Sequence, residues 1–291
     1  MAKLRIRGKS TIKRLLAVVF VLTFWVAFIV WVMCGNTMLE VNEYVIESAR
    51  LPKAFSGYRI AQVSDLHNAE LGKDNAELLT KLEGVGADAI VLTGDLVDSR
   101  RTDVNVALRF AEAAVKIAPT YYVTGNHEER IGEYAQLKEG LLACGVTVLE
   151  NEAVTVKRDG AQIRFIGLKD PACVGEWDDG AEGAYIETQL ALFEWGAEYT
   201  VLLSHRPEHF TAYTEVGADL TFSGHAHGGQ FRLPWIGGVF APDQGFFPKY
   251  DAGLYEAGQT KMLVSRGIGN SLFPFRVNNN PEIVVAELKK I

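Results

Sequence analysis

The stretch AIVLTGDLVD, residues 89–98, reads as five apolar or β-branched residues, a glycine, and then two carboxylates three positions apart. A run this short, rich in Ile and Val and closed by Gly, has the pattern of a strand buried on both faces in the middle of a mainly parallel sheet. The same grammar recurs four times. Residues 58–64 lead into Asp65-Leu66-His67, residues 120–124 into Gly125-Asn126-His127-Glu128, residues 199–203 into Ser204-His205, and residues 220–223 into Gly224-His225-Ala226-His227. In layered α/β folds the carboxyl ends of strands gather along one edge, where ligand sites form, so this pattern aims Asp, Asn and His side chains at one place. Five of the six histidines of the chain fall in it, His209 being the exception.

Between these strands the period changes to that of helices. Asp74 with Glu77 has the spacing of a capping box ahead of Leu78, Leu79 and Leu82. Asp103 opens a helix whose Val104, Leu108, Ala111 and Val115 share a face, and a third helix carrying Tyr134, Leu137 and Leu141 closes at Gly145. Beyond Gly145, residues 146–149, 154–156 and 162–166 read as antiparallel pairs with Asp159-Gly160 as a type I′ turn. Residues 262–265 and 283–288 add further β signal. The fold class expected is α/β: two sheets packed face to face with helices outside, forming one domain over residues 41–291.

At 48% hydrophobic and 22% charged, the 291 residues sit near globular averages, which excludes a disordered or collagen-like chain. Three cysteines form no disulfide framework, and the sequence leaves open whether Cys144 and Cys173 pair. The net charge of −7 conceals an asymmetry, because residues 1–14 carry six cations and no acid. The remainder is therefore more acidic than the net figure suggests, and nucleic acid is excluded as a partner on electrostatic grounds.

Residues 15–34 contain no charge. At 1.5 Å per residue, such a helix covers roughly the 30 Å hydrocarbon core of a bilayer, so a transmembrane helix is expected at 15–34 after a basic cytoplasmic segment at 1–14. Glu40, Glu43 and Glu47 follow the span. The positive-inside rule then predicts a single-pass cell-membrane protein with its large domain extracytoplasmic. The long apolar run and the lack of a small-x-small cleavage site speak against a removed signal peptide. About seven residues separate the span from the first strand, a tether of at most ~25 Å, which keeps the domain close to the bilayer.

In order along the chain, the motifs D-x-H, G-D-x-x-D, G-N-H-E, S-H and G-H-x-H resemble those of the calcineurin-like metallophosphoesterase superfamily over residues 58–227. The ending GHAHGGQ at 224–230, with Pro281-Glu282-Ile283, is similar to the membrane-anchored bacterial branch, which includes enzymes cleaving UDP-diacylglucosamine. This resemblance implies a four-layer αββα architecture and two divalent metal ions, for which Mn, Fe, Zn and Mg all suit the mixed oxygen and nitrogen donors. It implies that Asp65, His67, Asp95 and His227 hold one ion, and that Asp95, Asn126, His205 and His225 hold the second, with Asp95 bridging. Such a pair lowers the pKa of a bridging water and polarises a phosphoryl oxygen for in-line displacement. His127 would then be the general acid, oriented by Asp98. The activity implied is hydrolysis of a phosphoester or pyrophosphate bond in a small-molecule or lipid-linked envelope metabolite.

Protein phosphatases of the superfamily place Arg after the second Asp of G-D-x-x-D, where this chain has Ser99 followed by Arg100 and Arg101. That disfavours a protein phosphatase and leaves the phosphate-binding cation to be found, with Arg206 and Arg276 as candidates. Residues 231–250 are rich in Phe, Trp, Pro and Gly, and read either as a covered loop or as an apolar rim for a lipid substrate. The alternative to an enzyme is a membrane-anchored metal-binding or sensing protein, against which stand His127 and Asp98, since neither is needed to hold metal. Enzymes acting on UDP-diacylglucosamine work at the cytoplasmic leaflet, so the charge asymmetry either points to a different substrate or is misleading about orientation.

Overall fold

A computed structural model of the chain describes residues 3–174, 179–271 and 273–291. Helix α1 (Lys3–Thr37) is followed by β1 (Glu40–Ser48), β2 (Arg59–Val63), α2 (Ala76–Gly84), β3 (Ala89–Thr93), α3 (Val104–Ile117) and β4 (Thr120–Val123). Next come α4 (Asn126–Glu129), α5 (Tyr134–Cys144), β5 (Thr147–Val148), β6 (Glu152–Arg158), β7 (Ala161–Gly167), α6 (Asp179–Leu190), β8 (Thr200–Leu203), α7 (Phe210–Val216) and β9 (Leu220–Ser223). Two small ribbons then pair β10 (Arg232–Leu233) with β11 (Gly237–Gly238) and β12 (Phe240–Ala241) with β13 (Gly245–Phe246). The chain ends with β14 (Gly253–Ala257), β15 (Thr260–Val264) and β16 (Glu282–Lys290).

Two six-stranded sheets result, ordered β1-β16-β2-β3-β4-β5 and β14-β15-β9-β8-β7-β6. Their centres are parallel, β2 through β5 in one and β7, β8, β9 and β15 in the other. Ile60, Val91 and Tyr121 of the first sheet pack on Phe165, Val201 and Phe222 of the second. The outer faces are covered by Leu78, Phe110 and Leu137 on one side and by Ile186, Leu190 and Tyr213 on the other. Layers therefore run helix, sheet, sheet, helix, because each central strand is apolar on both faces and needs a partner on each.

Local signals explain most boundaries. Asp103 Oδ1 accepts from Asn105 N at 3.0 Å and starts α3. Gly145 ends α5 with φ 93°, and Asp159 and Gly160, at φ 50° and 78°, make the tight turn between the antiparallel β6 and β7. Two expectations need correction. Asp74 forms no capping box: it has φ 51°, Asn75 precedes α2, and the Asn75 amide oxygen accepts from Leu71 N at 2.9 Å instead. Residues 147–148 join the first sheet parallel to β4 rather than pairing antiparallel with β6, since Leu149 N donates to Tyr122 O at 2.8 Å and holds the turn there.

Within α1, residues Thr11–Thr37 are long and apolar enough to cross a membrane, with a mean hydropathy of 2.8 over the most apolar 18 residues and none of those buried. Only Met38 and Leu39 separate α1 from β1, and Leu39 is buried. The seven-residue tether expected from sequence is thus mostly helix, and the domain meets the helix end directly. Cys34, Cys144 and Cys173 are free thiols.

Candidate metal centre and active-site cleft

Strands β2, β3, β4, β8 and β9 end at one edge, and the Asp, Asn and His residues that follow them are all buried. Asp65, His67, Asp95, His225 and His227 have φ values of 52°, 45°, 52°, 64° and 48°. The left-handed region costs a residue with a Cβ of order 1 kcal/mol or more, and conformations of this kind cluster where geometry serves a function. Gly94 lets these loops close up. At φ 88° it also sits where a Cβ would lie 2.6 Å from Gly125 N and 2.8 Å from His205 Nδ1.

Ligand atoms of Asp65, His67, Asp95 and His227 lie within 4.8 Å of one another, and so do those of Asp95, His205 and His225. Asp95 Oδ2 belongs to both groups, 3.4 Å from His67 Nε2 and 3.3 Å from His205 Nε2. His67 Nε2 and His227 Nε2 approach to 3.1 Å, and His227 Nε2 lies 3.4 Å from Asp65 Oδ1.

The donor set tests whether cations fit. His205 Nδ1 stands 2.7 Å from the Thr93 carbonyl, and His225 Nε2 stands 2.8 Å from Asp243 Oδ2. Both partners only accept, so those nitrogens carry the protons of the neutral rings and the opposite nitrogens are lone pairs. Yet His205 Nε2 and His225 Nδ1 face each other at 3.2 Å, with Asp95 Oδ2 3.3 Å from His205 Nε2 and the Asn126 side-chain amide beside His225 Nδ1. Three acceptors facing one another require positive charge between them, and the residues fit a cation. The electrostatics of the rings make the same demand. Burial lowers His67 to about 3 and His225 to about 4. Burial would also lower His205, but Asp95, Asp65 and Asp170 outweigh it and push it up to about 10.

Next to this centre opens a cleft of about 230 Å³, whose walls include His127, Ser99, Arg100, Arg130, Asn126 and Asp243. His127 is in place, but its expected orienter is not. Ser99 N donates to His127 Nδ1 at 2.9 Å, whereas the nearest Asp98 oxygen is 3.7 Å from that nitrogen. Asp98 is gripped by Arg100 instead, through Nε at 2.9 Å, Nη2 at 3.1 Å and the backbone amide at 3.0 Å. Burial favours the neutral acid, but Arg100 outweighs it and holds Asp98 below the usual carboxylate range.

Neither Arg206 nor Arg276 is among the cleft-lining residues. Arg206 is buried and makes a two-pronged pair with Asp170, Nε to Oδ2 at 2.8 Å and Nη2 to Oδ1 at 3.1 Å, while also reaching Asp243. Arg276, equally buried, donates to the carbonyls of Arg266 (2.7 Å) and Gly269. The cations lining the cleft are Arg100 and Arg130.

Glu128 was visible only as the last letter of its motif. Fully buried, it accepts from the amides of Asp95 (2.8 Å), Gly125 (2.7 Å) and Val97 (3.2 Å), which ties the β3 and β4 loops together, and burial pushes its pKa up to about 8. Asp243 had no sequence signal, because the segment that returns it to His225 lies in the aromatic stretch read only for its apolar character.

The calcineurin-like phosphoesterase model matches residues 58–229. The chain is 32% identical to the metallophosphoesterase YkuE of Bacillus subtilis, across 87% of this chain and 86% of that one. It is 30% identical to the phosphodiesterase YaeI of Escherichia coli, across 70% and 68%. Among solved structures, the TT1561 protein of Thermus thermophilus shares the fold at a TM-score of 0.50 and 15% identity, covering 73% of this chain and 91% of its own. The family match spans more than half of the chain and takes in all five strand ends of the metal centre, so the chain belongs to the calcineurin-like phosphoesterase family.

Proposed function

We propose that the protein is a membrane-anchored, two-metal hydrolase whose catalytic domain lies outside the cytoplasm and acts on a phosphoester or pyrophosphate bond of a lipid-linked or envelope metabolite. The observation that carries this is the pair of acceptor-rich nests sharing Asp95 Oδ2 beside a cleft with its own cations. Asp65, His67, Asp95 and His227 would hold one divalent ion, and Asp95, Asn126, His205 and His225 the other. When bound, the ions would lower the pKa of water and neutralise charge on a phosphoryl group.

The remaining work falls to side chains of the cleft. Arg100 and Arg130 grip the non-bridging phosphate oxygens by charge-assisted hydrogen bonds. His127, whose Nδ1 accepts from Ser99 N, offers its Nε2–H to the leaving oxygen, where a hydrogen bond stabilises developing negative charge. Asp243 holds His225 in the tautomer that presents Nδ1 to the metal.

The test is elemental analysis of the purified full chain together with turnover of a phosphomonoester, a phosphodiester and a pyrophosphate. Expected are two divalent ions per chain and turnover that chelation abolishes and metal restores. Metal-loaded protein without turnover on any of the three classes would overturn the reading in favour of a metal-binding or sensing role.

A further inference from the structure

Asn36 and Arg276 join α1 to the catalytic domain. Asn36 Nδ2 donates to the Arg276 carbonyl at 3.1 Å, and Arg276 N donates back to Asn36 Oδ1 at 2.8 Å. Nearby, Glu40 N donates to Pro281 O at 2.8 Å. The segment that includes Phe273 and Phe275 is therefore held at the end of the apolar helix, with both rings exposed.

This segment organises a wider aromatic surface. The Phe231 ring meets Phe273 and Phe275 at centroid distances of 5.2 and 5.5 Å, and Gln230 Nε2 donates to both of their carbonyls. Arg232 N donates to Val277 O at 3.0 Å, tying down the β10–β11 ribbon whose tip carries Trp235, fully exposed, and Ile236. The β12–β13 ribbon adds Phe246 and Phe247, 74% and 61% exposed, with Phe240 packed on Phe246 at 5.4 Å. Trp235 and Phe247 have φ values of 64° and 56°. Bulky residues pay for that conformation, and here no burial of their side chains offsets it. Contiguous exposed aromatic surface is uncommon on a water-facing domain, whereas amphipathic rings favour the membrane–water interface.

The surface also adjoins the active site. A narrow crevice lined by His227, Gln230, Phe240, Pro242, Ser271 and Phe273 shares His227, Pro242 and Ser271 with the catalytic cleft.

We infer that the ridge formed by Phe273, Phe275, Trp235, Ile236, Phe246 and Phe247 seats in the bilayer interface beside α1, so that the cleft opens at the level of lipid headgroups. The occupant is the bilayer because the ridge continues from the end of the membrane-spanning helix through the Asn36–Arg276 pair. The inference rests on α1 being a membrane span and is tested apart from catalysis.

An environment-sensitive fluorophore is placed on single cysteines introduced by Val26→Cys, Trp235→Cys, Phe246→Cys or Asp159→Cys, in the full chain with Cys34, Cys144 and Cys173 replaced by Ala. Each protein is reconstituted into phosphatidylcholine vesicles with and without brominated lipid. Expected is loss of most of the emission at positions 26, 235 and 246 with brominated lipid, and little loss at 159, on the far β6–β7 turn. Quenching at 26 without quenching at 235 and 246 would overturn the ridge alone. Absence of quenching at 26 would remove the membrane span and the ridge with it. Concentration-dependent protection of 235 and 246 in detergent, with no lipid quenching, would assign the face to a second copy of the chain and also overturn the inference.

Discussion

Ser99 donates its backbone N–H to His127 Nδ1 at 2.9 Å, so the nitrogen expected to face Asp98 is engaged by the main chain. Asp98, at 3.7 Å, spends its oxygens on Arg100. His127→Ala is expected to lower kcat by ~10²–10³, the usual worth of a hydrogen-bond donor aimed at developing negative charge. Asp98→Asn is expected to cost much less and to act mainly through KM, since it loosens Arg100 at the cleft wall. Steady-state kinetics on a chromogenic phosphodiester separates the two, and equal kcat losses would place Asp98 in direct charge of the imidazole.

Asp95 is shared by both ligand groups, whereas Asp243 touches a single candidate ligand, His225. Asp95→Asn should therefore deplete both metals and abolish turnover. Asp243→Asn should weaken metal retention by only ~10–100-fold, the range for partners that orient a ligating histidine. Metal content after dialysis against graded chelator reads this directly, and unchanged retention in Asp95→Asn would contradict the bridging assignment.

Glu128 satisfies three buried amides with two oxygens. Glu128→Gln turns an NH₂ group toward these donors and leaves at least one amide unpaired, a loss of about 1–3 kcal/mol. Thermal unfolding should shift downward with metal present, and activity should fall further than the fraction unfolded explains, because both ligand loops lose their common clamp.

How much of this was legible beforehand depends on what fixes each feature. The strand ends could be read because a buried strand must be apolar and a ligand must follow it, so 89–93 and 220–223 were bounded as the structure has them. Residues 147–148 were mispaired because their partner strand is fixed by tertiary contacts and not by a turn motif. The nine candidate residues converge on one edge, yet Ser99 meets His127 Nδ1 with both its backbone amide and its hydroxyl through a loop contact that no spacing in the sequence announces. Asp243 lies 18 positions after His225, beyond the β10–β11 ribbon and β12, a spacing with no periodic signal. Arg206 and Arg276 suggest phosphate binding in the sequence because they are cations near the motifs. Only coordinates show that their acceptors are internal.

The basic flank of α1 gives a prediction about sidedness. Six cations in residues 1–14 against Glu40, Glu43 and Glu47 beyond the span should retain the N-terminus in the cytoplasm. An alkaline phosphatase reporter fused to the C-terminus is expected to be active and a cytoplasm-dependent fluorescent protein dark. Replacing the six cations with Gln should weaken that asymmetry, and a bright fluorescent fusion in the unaltered chain would reverse the orientation.

Arg206 and Asp170 form a two-pronged pair with side chains 2% and 0% exposed. If Arg206 served substrate, its loss would raise KM and leave the fold intact. As an internal pair, its loss leaves the Asp170 carboxylate buried without its partner, and Arg206→Met should cost about 3–5 kcal/mol in denaturant unfolding. Burial favours neutral Asp170, but Arg206 outweighs it and holds the carboxyl below its ordinary value. With a folded pKa below the unfolded one, the pair's contribution is present above about pH 4 and fades as pH falls through the depressed value. The variant should accordingly lose stability most at neutral pH and differ least from the parent in acid. A variant of unchanged stability with a raised KM would instead return Arg206 to the substrate.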